Sequence, residues 1–352
     1  MKLFYILTLA IGLSVGAFGQ DYNNAVYMSH SINSDNSIDI YYHLYKSGSV
    51  ALYVSIDGGS TFNGPLAKLS GDVGCDVHQG YDKHIKWEAP ANYNQIPKHL
   101  LKFKVKVRTL SDLSLPLVLV RGGTFTMGNT EHADNNIISD EVPTHTVTLS
   151  DFYISQYEIT QDIWVTIMGS NPSFFLGDSL PVDNVSLNEA RQFAFKLSQM
   201  TGFTYRLPTE SEWEYAAKGG FKSQNYKYPG GNNIEEVGWT KSNSQKTTHQ
   251  VGLKKPNELG IYDMCGNVYE WCSDIYGEYP TEDVINPTGA SDNKVTIFRN
   301  NAWTTITGGT VSHVIRGGSW TNSNHNCYTT KRDNKSTNHK RYNFGVRLVR
   351  EK

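Results

Sequence analysis

The chain has 352 residues, enough for two ordinary domains that each bury a core, with 32 Lys and Arg against 34 Asp and Glu and a net charge of -2. That balance excludes the basic field that nucleic-acid backbones require, so no nucleic-acid partner is expected. With 21 Tyr and 31 Gly, the composition favours turns and extended loops holding aromatic rings over a helical bundle.

The first residues, MKLFYILTLAIGLSVGAFGQ, place one Lys before an apolar run from Leu3 to Val15 and a small-x-small site at Ala17-Phe18-Gly19. This predicts a signal peptide over residues 1–19, too short to span a bilayer, and hence a secreted, periplasmic or cell-surface protein with no transmembrane segment in the mature chain. Export would put Cys75, Cys265, Cys272 and Cys327 in an oxidising compartment, where four thiols allow three full pairings.

Residues 20–110 alternate apolar with polar positions in SIDIYYHLY (37–45), VALYVSIDGG (50–59), HIKWEAP (84–90) and LLKFKVKV (100–107), separated by Gly, Asn or Pro turns. The pattern predicts a small all-β sandwich of immunoglobulin or fibronectin type, with Trp87 in its core and no paired cysteines. Nothing in it is catalytic, and a spacer or docking role follows. After a linker at 111–116 the punctuation changes. Ser186 with Glu189 and Thr209 with Glu212 form S/T-x-x-E capping boxes, each ahead of a helical apolar face and each followed by a glycine stop, Gly202 or Gly219. Two short helices among long loops are expected in this second region.

RGGTFTMG, EVPTHTVTLSDFYISQYEIT, RLPTESEWEYAAKGG, KKPNELGIYDMCGNVYEWCSD and RGGSW…NFGVRLVR occur in the order seen in the formylglycine-generating-enzyme, or sulfatase-modifying-factor, family, which residues 117–352 resemble. The resemblance implies an α+β, C-type-lectin-like domain with little regular secondary structure. Active relatives oxidise a sulfatase cysteine to formylglycine with copper(I) and oxygen. They use two cysteines five residues apart after the RGGS motif, the first followed by His. Here Ser319 and Cys327 match, but Asn322 replaces the first cysteine and Ser323 the His. Copper(I) prefers thiolates and a neutral amide is a poor substitute, so the resemblance implies no bound copper and no two-cysteine oxidation. The same fold suggests a Cys272 to Cys327 disulfide, since EWCSD should run near the RGGSW turn. A metal site at His325-x-Cys327 lacks enough ligands to close.

The family's calcium loop maps onto Asp263, Gly266, Val268 and Glu270, two carboxylates and two backbone carbonyls, which are hard oxygen ligands. The other reading of that segment is a self-hydrogen-bonded turn around Asn267. Residues 321–343, rich in Asn, Thr, Ser, His and Tyr, form either a solvated loop or a binding face for a protein or glycan. Together these features imply an exported binding or envelope-assembly module. The alternative is a formylglycine-generating oxidase acting through Cys327 with Ser319. Sulfoxide synthesis, a third chemistry of this fold, needs a His-x3-His-x-Glu triplet that the chain lacks.

Overall fold

The structure is a computed structural model that describes residues 24–109, 112, 115–129, 140–290, 295–299, 302–306 and 311–352. The expected signal peptide at 1–19 lies outside the described residues.

Seven strands build the first unit: β1 (Ala25–Ile32), β2 (Ile38–Leu44), β3 (Gly48–Ser55), β4 (Leu69–Gly71), β5 (Gly74–Val77), β6 (Gly80–Trp87) and β7 (Lys102–Arg108). They form two antiparallel sheets, in the orders β1-β2-β6-β4 and β5-β3-β7. The inward residues Ile38, Ile40 and Tyr42 of β2 meet Val50, Leu52 and Val54 of β3, with Ile85, Trp87, Phe103 and Val105 closing the core. Period-two alternation accounts for this packing, because successive side chains leave opposite faces of a strand.

β3 departs from the expected one-sided pattern. Every residue from Ser49 to Ser55 is buried, and Ala51 and Tyr53 on its second face join Trp164, Val165 and Ile167 in another core. The second face is covered by a helix, α1 (Gln161–Met168), that belongs to the following unit. Around this seam Lys106 Nζ lies 2.8 Å from Asp178 and 3.1 Å from Asp162, and Arg108 Nη2 lies 2.5 Å from Asp162. Tyr53 donates its hydroxyl to Asp178, the Cys75 thiol lies 3.0 Å from the Ile167 carbonyl, and Asn171 Nδ2 donates to the Pro65 carbonyl at 2.8 Å. The sandwich is thus bonded to its neighbour along a buried face, which a mere spacer would not require.

The second unit has the expected two capped helices, α2 (Leu187–Thr201) and α3 (Glu210–Ala217). Both capping boxes form reciprocally, from Ser186 with Glu189 and from Thr209 with Glu212. Two further helices are present: α1, whose N-cap Thr160 makes no side-chain capping bond and is followed at the capping-box position by Ile163, and the single turn Ile234–Val237, capped by the Asn233 side chain. One four-stranded sheet places the C-terminal strand Val349–Arg350 between Phe152–Ser155 and Tyr205–Arg206, tying the end of the domain to its beginning. Another has the order Arg332–Ser336, Ser312–Arg316, Tyr269–Ile275, Phe344–Gly345 and carries the RGGSW turn at the end of its second strand. Long loops connect these elements, giving the α+β architecture with low regular content.

Buried ion pairs pin those loops. Arg316, fully buried, reaches Glu214 and sits 5.1 Å over the Trp213 ring. Arg332 holds Glu210 through Nε at 2.7 Å and Nη2 at 2.8 Å, and Arg347 holds Glu270 through Nε at 2.9 Å. Such charges persist in a protein interior only when paired and hydrogen-bonded.

Candidate functional site

The turn after Ser312–Arg316 is shaped by Gly317 and Gly318, at φ 91° and 72°, a left-handed region that glycine enters without strain. At Gly318 a Cβ would come within 2.5 Å of the Cys327 sulfur, so the close approach of backbone to thiol also requires glycine. The turn delivers Ser319 into a small polar network. Ser319 donates to Asn322 Oδ1, and Asn343 Nδ2 donates to Ser319 Oγ at 3.0 Å and to Thr321 Oγ1 at 3.1 Å. Asn322 is thus bonded to Ser319, an amide at the position of the first thiol, and the Cys327 sulfur faces the Ser319 backbone N–H.

Cys327 is fully buried, and burial pushes its thiol up to about 12 even though the Gly266 and Ser319 backbone N–H groups face it. Burial therefore disfavours the thiolate, the form that acts as nucleophile and that a metal ligates only on release of the proton. Burial likewise raises the thiols of Cys265 and Cys272.

The expected Cys272 to Cys327 bridge is corrected by the structure, where all four cysteines are free. The strand Tyr269–Ile275 does run beside the RGGSW turn, with Glu270 opposite Arg316 and Trp271 opposite Ile315. Alternation decides the matter: Trp271 enters one core and Cys272 another, whereas Cys327 packs with Cys265, Tyr228, Ile234 and Val237 in a third.

The calcium-type loop is tightly wound, with Asp263, Gly266 and Asn267 at φ 57°, 79° and 53°. Asp263 Oδ2 accepts from the Gly252 N–H at 2.6 Å, while its Oδ1 is buried with no partner. Glu270 is held by Arg347 and by Trp213 Nε1 at 2.6 Å. The Asn267 turn is real as well: its side chain accepts from His249 N–H at 3.0 Å and donates to Glu158 at 2.7 Å.

Glu158 was missed by the sequence reading. It accepts from Val268 N–H at 3.0 Å and lies fully buried beside Asp263 and Glu270, so burial first and those two carboxylates next raise its pKa well above the ordinary range. Burial raises Asp263 to about 6. Three buried carboxylates thus face one guanidinium, and the unpartnered Asp263 oxygen fits a hard divalent cation. Among the described residues no three His, Cys, Asp or Glu side chains converge on one point, so such a cation would rest on two carboxylates and the loop carbonyls.

Beside the polar network stands an aromatic cluster in which Trp320 of the RGGSW motif and Tyr342 are joined by Phe174 and Phe175, two residues outside the sequence reading. Phe174 lies 5.0 Å from Phe175 and 5.8 Å from Tyr342, and Trp320 lies 5.4 Å from Phe175 and 5.5 Å from Tyr342. Asp183 positions it by accepting from the Phe174 N–H at 2.8 Å. The available signal was NPSFFLGD, two adjacent phenylalanines in a stretch with no helical or strand period.

Comparison with known proteins agrees with this arrangement. Residues 109–352 match the family described as "Sulfatase-modifying factor enzyme 1-like domain". The "Chaperone protein LppX" of Paenibacillus barcinonensis is 38% identical over 47% of this chain and 72% of its own length. The formylglycine-generating enzyme of Mus musculus is 25% identical over 67% of this chain and 78% of its own length. Among solved structures, Treponema denticola variable protein 1 superposes with a TM-score of 0.59 at 28% identity, covering 70% of this chain and 98% of that one. Among the described residues no helix is long and apolar enough to cross a membrane. By the extent of the matched region and the order of its motifs, the chain belongs to the sulfatase-modifying factor enzyme 1-like domain family.

Proposed function

We propose that this chain is an exported binding or envelope-assembly member of the family that does not carry out two-cysteine copper oxidation. The observation that carries the reading is Asn322, hydrogen-bonded to Ser319 where a thiolate would be needed, which leaves Cys327 without a second thiol for copper(I). Export is supported by the apolar run and small-x-small site at the N-terminus. A relative named as a chaperone protein supports an assembly role. Calcium at Asp263, Gly266, Val268 and Glu270 would neutralise the buried acids and hold the loop that faces Cys327. It would act on structure and not on chemistry.

The decisive experiment incubates the mature protein with a sulfatase-type Cys peptide, copper(I) and oxygen, and seeks the aldehyde by mass spectrometry. No aldehyde is expected. Turnover by the unaltered protein would restore the oxidase reading through Cys327. An Asn322→Cys, Ser323→His variant shows whether the metal ligands alone were lost. For calcium, chelation of the purified protein should lower Tm by mass action, and an unchanged Tm would remove the ion from this account.

A further inference from the structure

We infer that the cleft between the start of α3, the end of the strand Tyr269–Ile275 and the loop that follows it binds a primary alkylammonium group, free or on a lysine side chain. None of Ser319, Asn322 and Cys327 lines this cleft, so the inference stands apart from the reading of their network. The cleft has a volume of about 300 Å³, at the small end for ligand sites. Asp274 and His145 line it and are 4% and 6% exposed. Asp274 Oδ2 accepts from the Glu210 N–H and from the Ser273 hydroxyl, each at 3.0 Å, while its Oδ1 has no partner among the described residues. His145 Nδ1 lies 3.4 Å from the Pro143 carbonyl, which can only accept. The ring proton therefore belongs on Nδ1, and Nε2 offers a lone pair. Burial lowers the pKa of His145, which favours this neutral form. Neither Asp274 Oδ1 nor His145 Nε2 is sealed from solvent, in contrast to the unpartnered oxygens of Asp183 and Asp263.

Charge decides what such acceptors take. Arg332, the cation among the described lining residues, is already spent: Nε and Nη2 hold Glu210, and Nη1 donates to the Asp140 carbonyl at 2.8 Å and the Gly277 carbonyl at 3.0 Å. Arg316 Nε, 3.5 Å from Glu210, compensates that acid further, and the Tyr279 hydroxyl is given to it at 3.2 Å. Asp274 and the exposed Glu278, by contrast, have no ion pair among the described residues. An anionic ligand would meet like charge there, and a neutral alcohol would leave the charge unanswered. An ammonium group brings three donors together with the missing positive charge. Met127, Ile275, Pro280 and Val284 supply apolar wall for the methylenes behind it. A metal ion is the less suited occupant, because among the described residues no three His, Cys, Asp or Glu side chains converge on one point.

The test titrates the purified protein calorimetrically with pentylammonium, pentanol and pentanoate at pH 8, where Asp274, raised by burial to about 7, is largely ionised and the amine still protonated. The amine is expected to bind, pentanol to bind roughly tenfold more weakly or less, and pentanoate not at all. Asp274→Asn keeps an acceptor for the Glu210 N–H, removes the charge, and should weaken amine binding roughly tenfold, with near-UV circular dichroism confirming a native fold. Glu278→Gln, at an exposed position that carries no packing, should weaken it a few-fold at low salt and leave it unchanged at high salt. A blocked Ala-Lys-Ala peptide and its side-chain-acetylated form separate the two sources of the group: binding of the first alone supports a partner's lysine, and binding of pentylammonium with neither peptide supports a free amine. No binding of pentylammonium, or equal binding of pentanol, would overturn the ammonium class. Amine binding untouched by both variants would overturn this cleft as its site.

Discussion

The two units are stabilised by different means. The sandwich buries Ile38, Ile40, Leu52, Val54 and Trp87, and its own ion pairs, such as Lys86 with Asp35 and Lys83 with Asp72, are at the surface. The family domain, by contrast, buries Arg316, Arg332 and Arg347 against Glu214, Glu210 and Glu270. A sheet saturates its own backbone and needs only an apolar face, whereas a domain made largely of loops must fix them with side chains. Charged groups of long reach do that at the cost of desolvation.

The largest test of this contrast removes one buried guanidinium. Arg316→Met leaves the buried Glu214 with Lys218 at 2.7 Å as its remaining cation and should cost about 3 kcal/mol in urea unfolding. Leu52→Ala in the sandwich should cost about 2–5 kcal/mol through its cavity. A loss below about 1 kcal/mol for Arg316→Met would dissolve the distinction.

A pH experiment sharpens it further. Burial raises Asp274 from an ordinary carboxylate value to about 7. Because the folded value is raised, its stabilising contribution is full below the unfolded pKa near 4 and is lost as pH rises through about 7. Stability should therefore fall by a few kcal/mol at most between pH 4 and 8, and Asp274→Asn should flatten that part of the profile. An unchanged slope in the variant would assign the dependence to other groups. Among the described residues of the sandwich no Asp or Glu is buried, and Asp35 is held down to about 2 by hydrogen bonds from Ser37.

The smallest effect is expected at the seam. Lys106→Ala removes ion pairs to Asp162 and Asp178, both partly exposed, and should cost about 1 kcal/mol or less. A much larger loss would show that the seam behaves like the buried arginines.

Legibility followed the same division. Alternation in β2, β6 and β7 and the capping boxes at Ser186 and Thr209 are local signals, and the structure realises each one. The substitution at Asn322 could be read from its distance to Ser319 and Cys327. What escaped depends on where loops cross. Glu158 meets Val268 from 110 positions away, Phe175 stacks on Trp320, and Cys327 finds Cys265 rather than Cys272. No period or cap encodes such meetings. They arise when irregular segments are folded over one another, and so the candidate site was less readable than the scaffold.

The doubly covered strand β3 gives the two units a shared fate. Its Val50, Leu52 and Val54 hold the sandwich together while Ala51 and Tyr53, one residue out of phase, are part of the packing of α1. A cut between the units would uncover Trp164 and Val165 on one piece and Tyr53 on the other, leaving two adhesive fragments. Force applied to the sandwich by anything it is tethered to would pass through this strand directly into the helix, as through a beam common to two rooms.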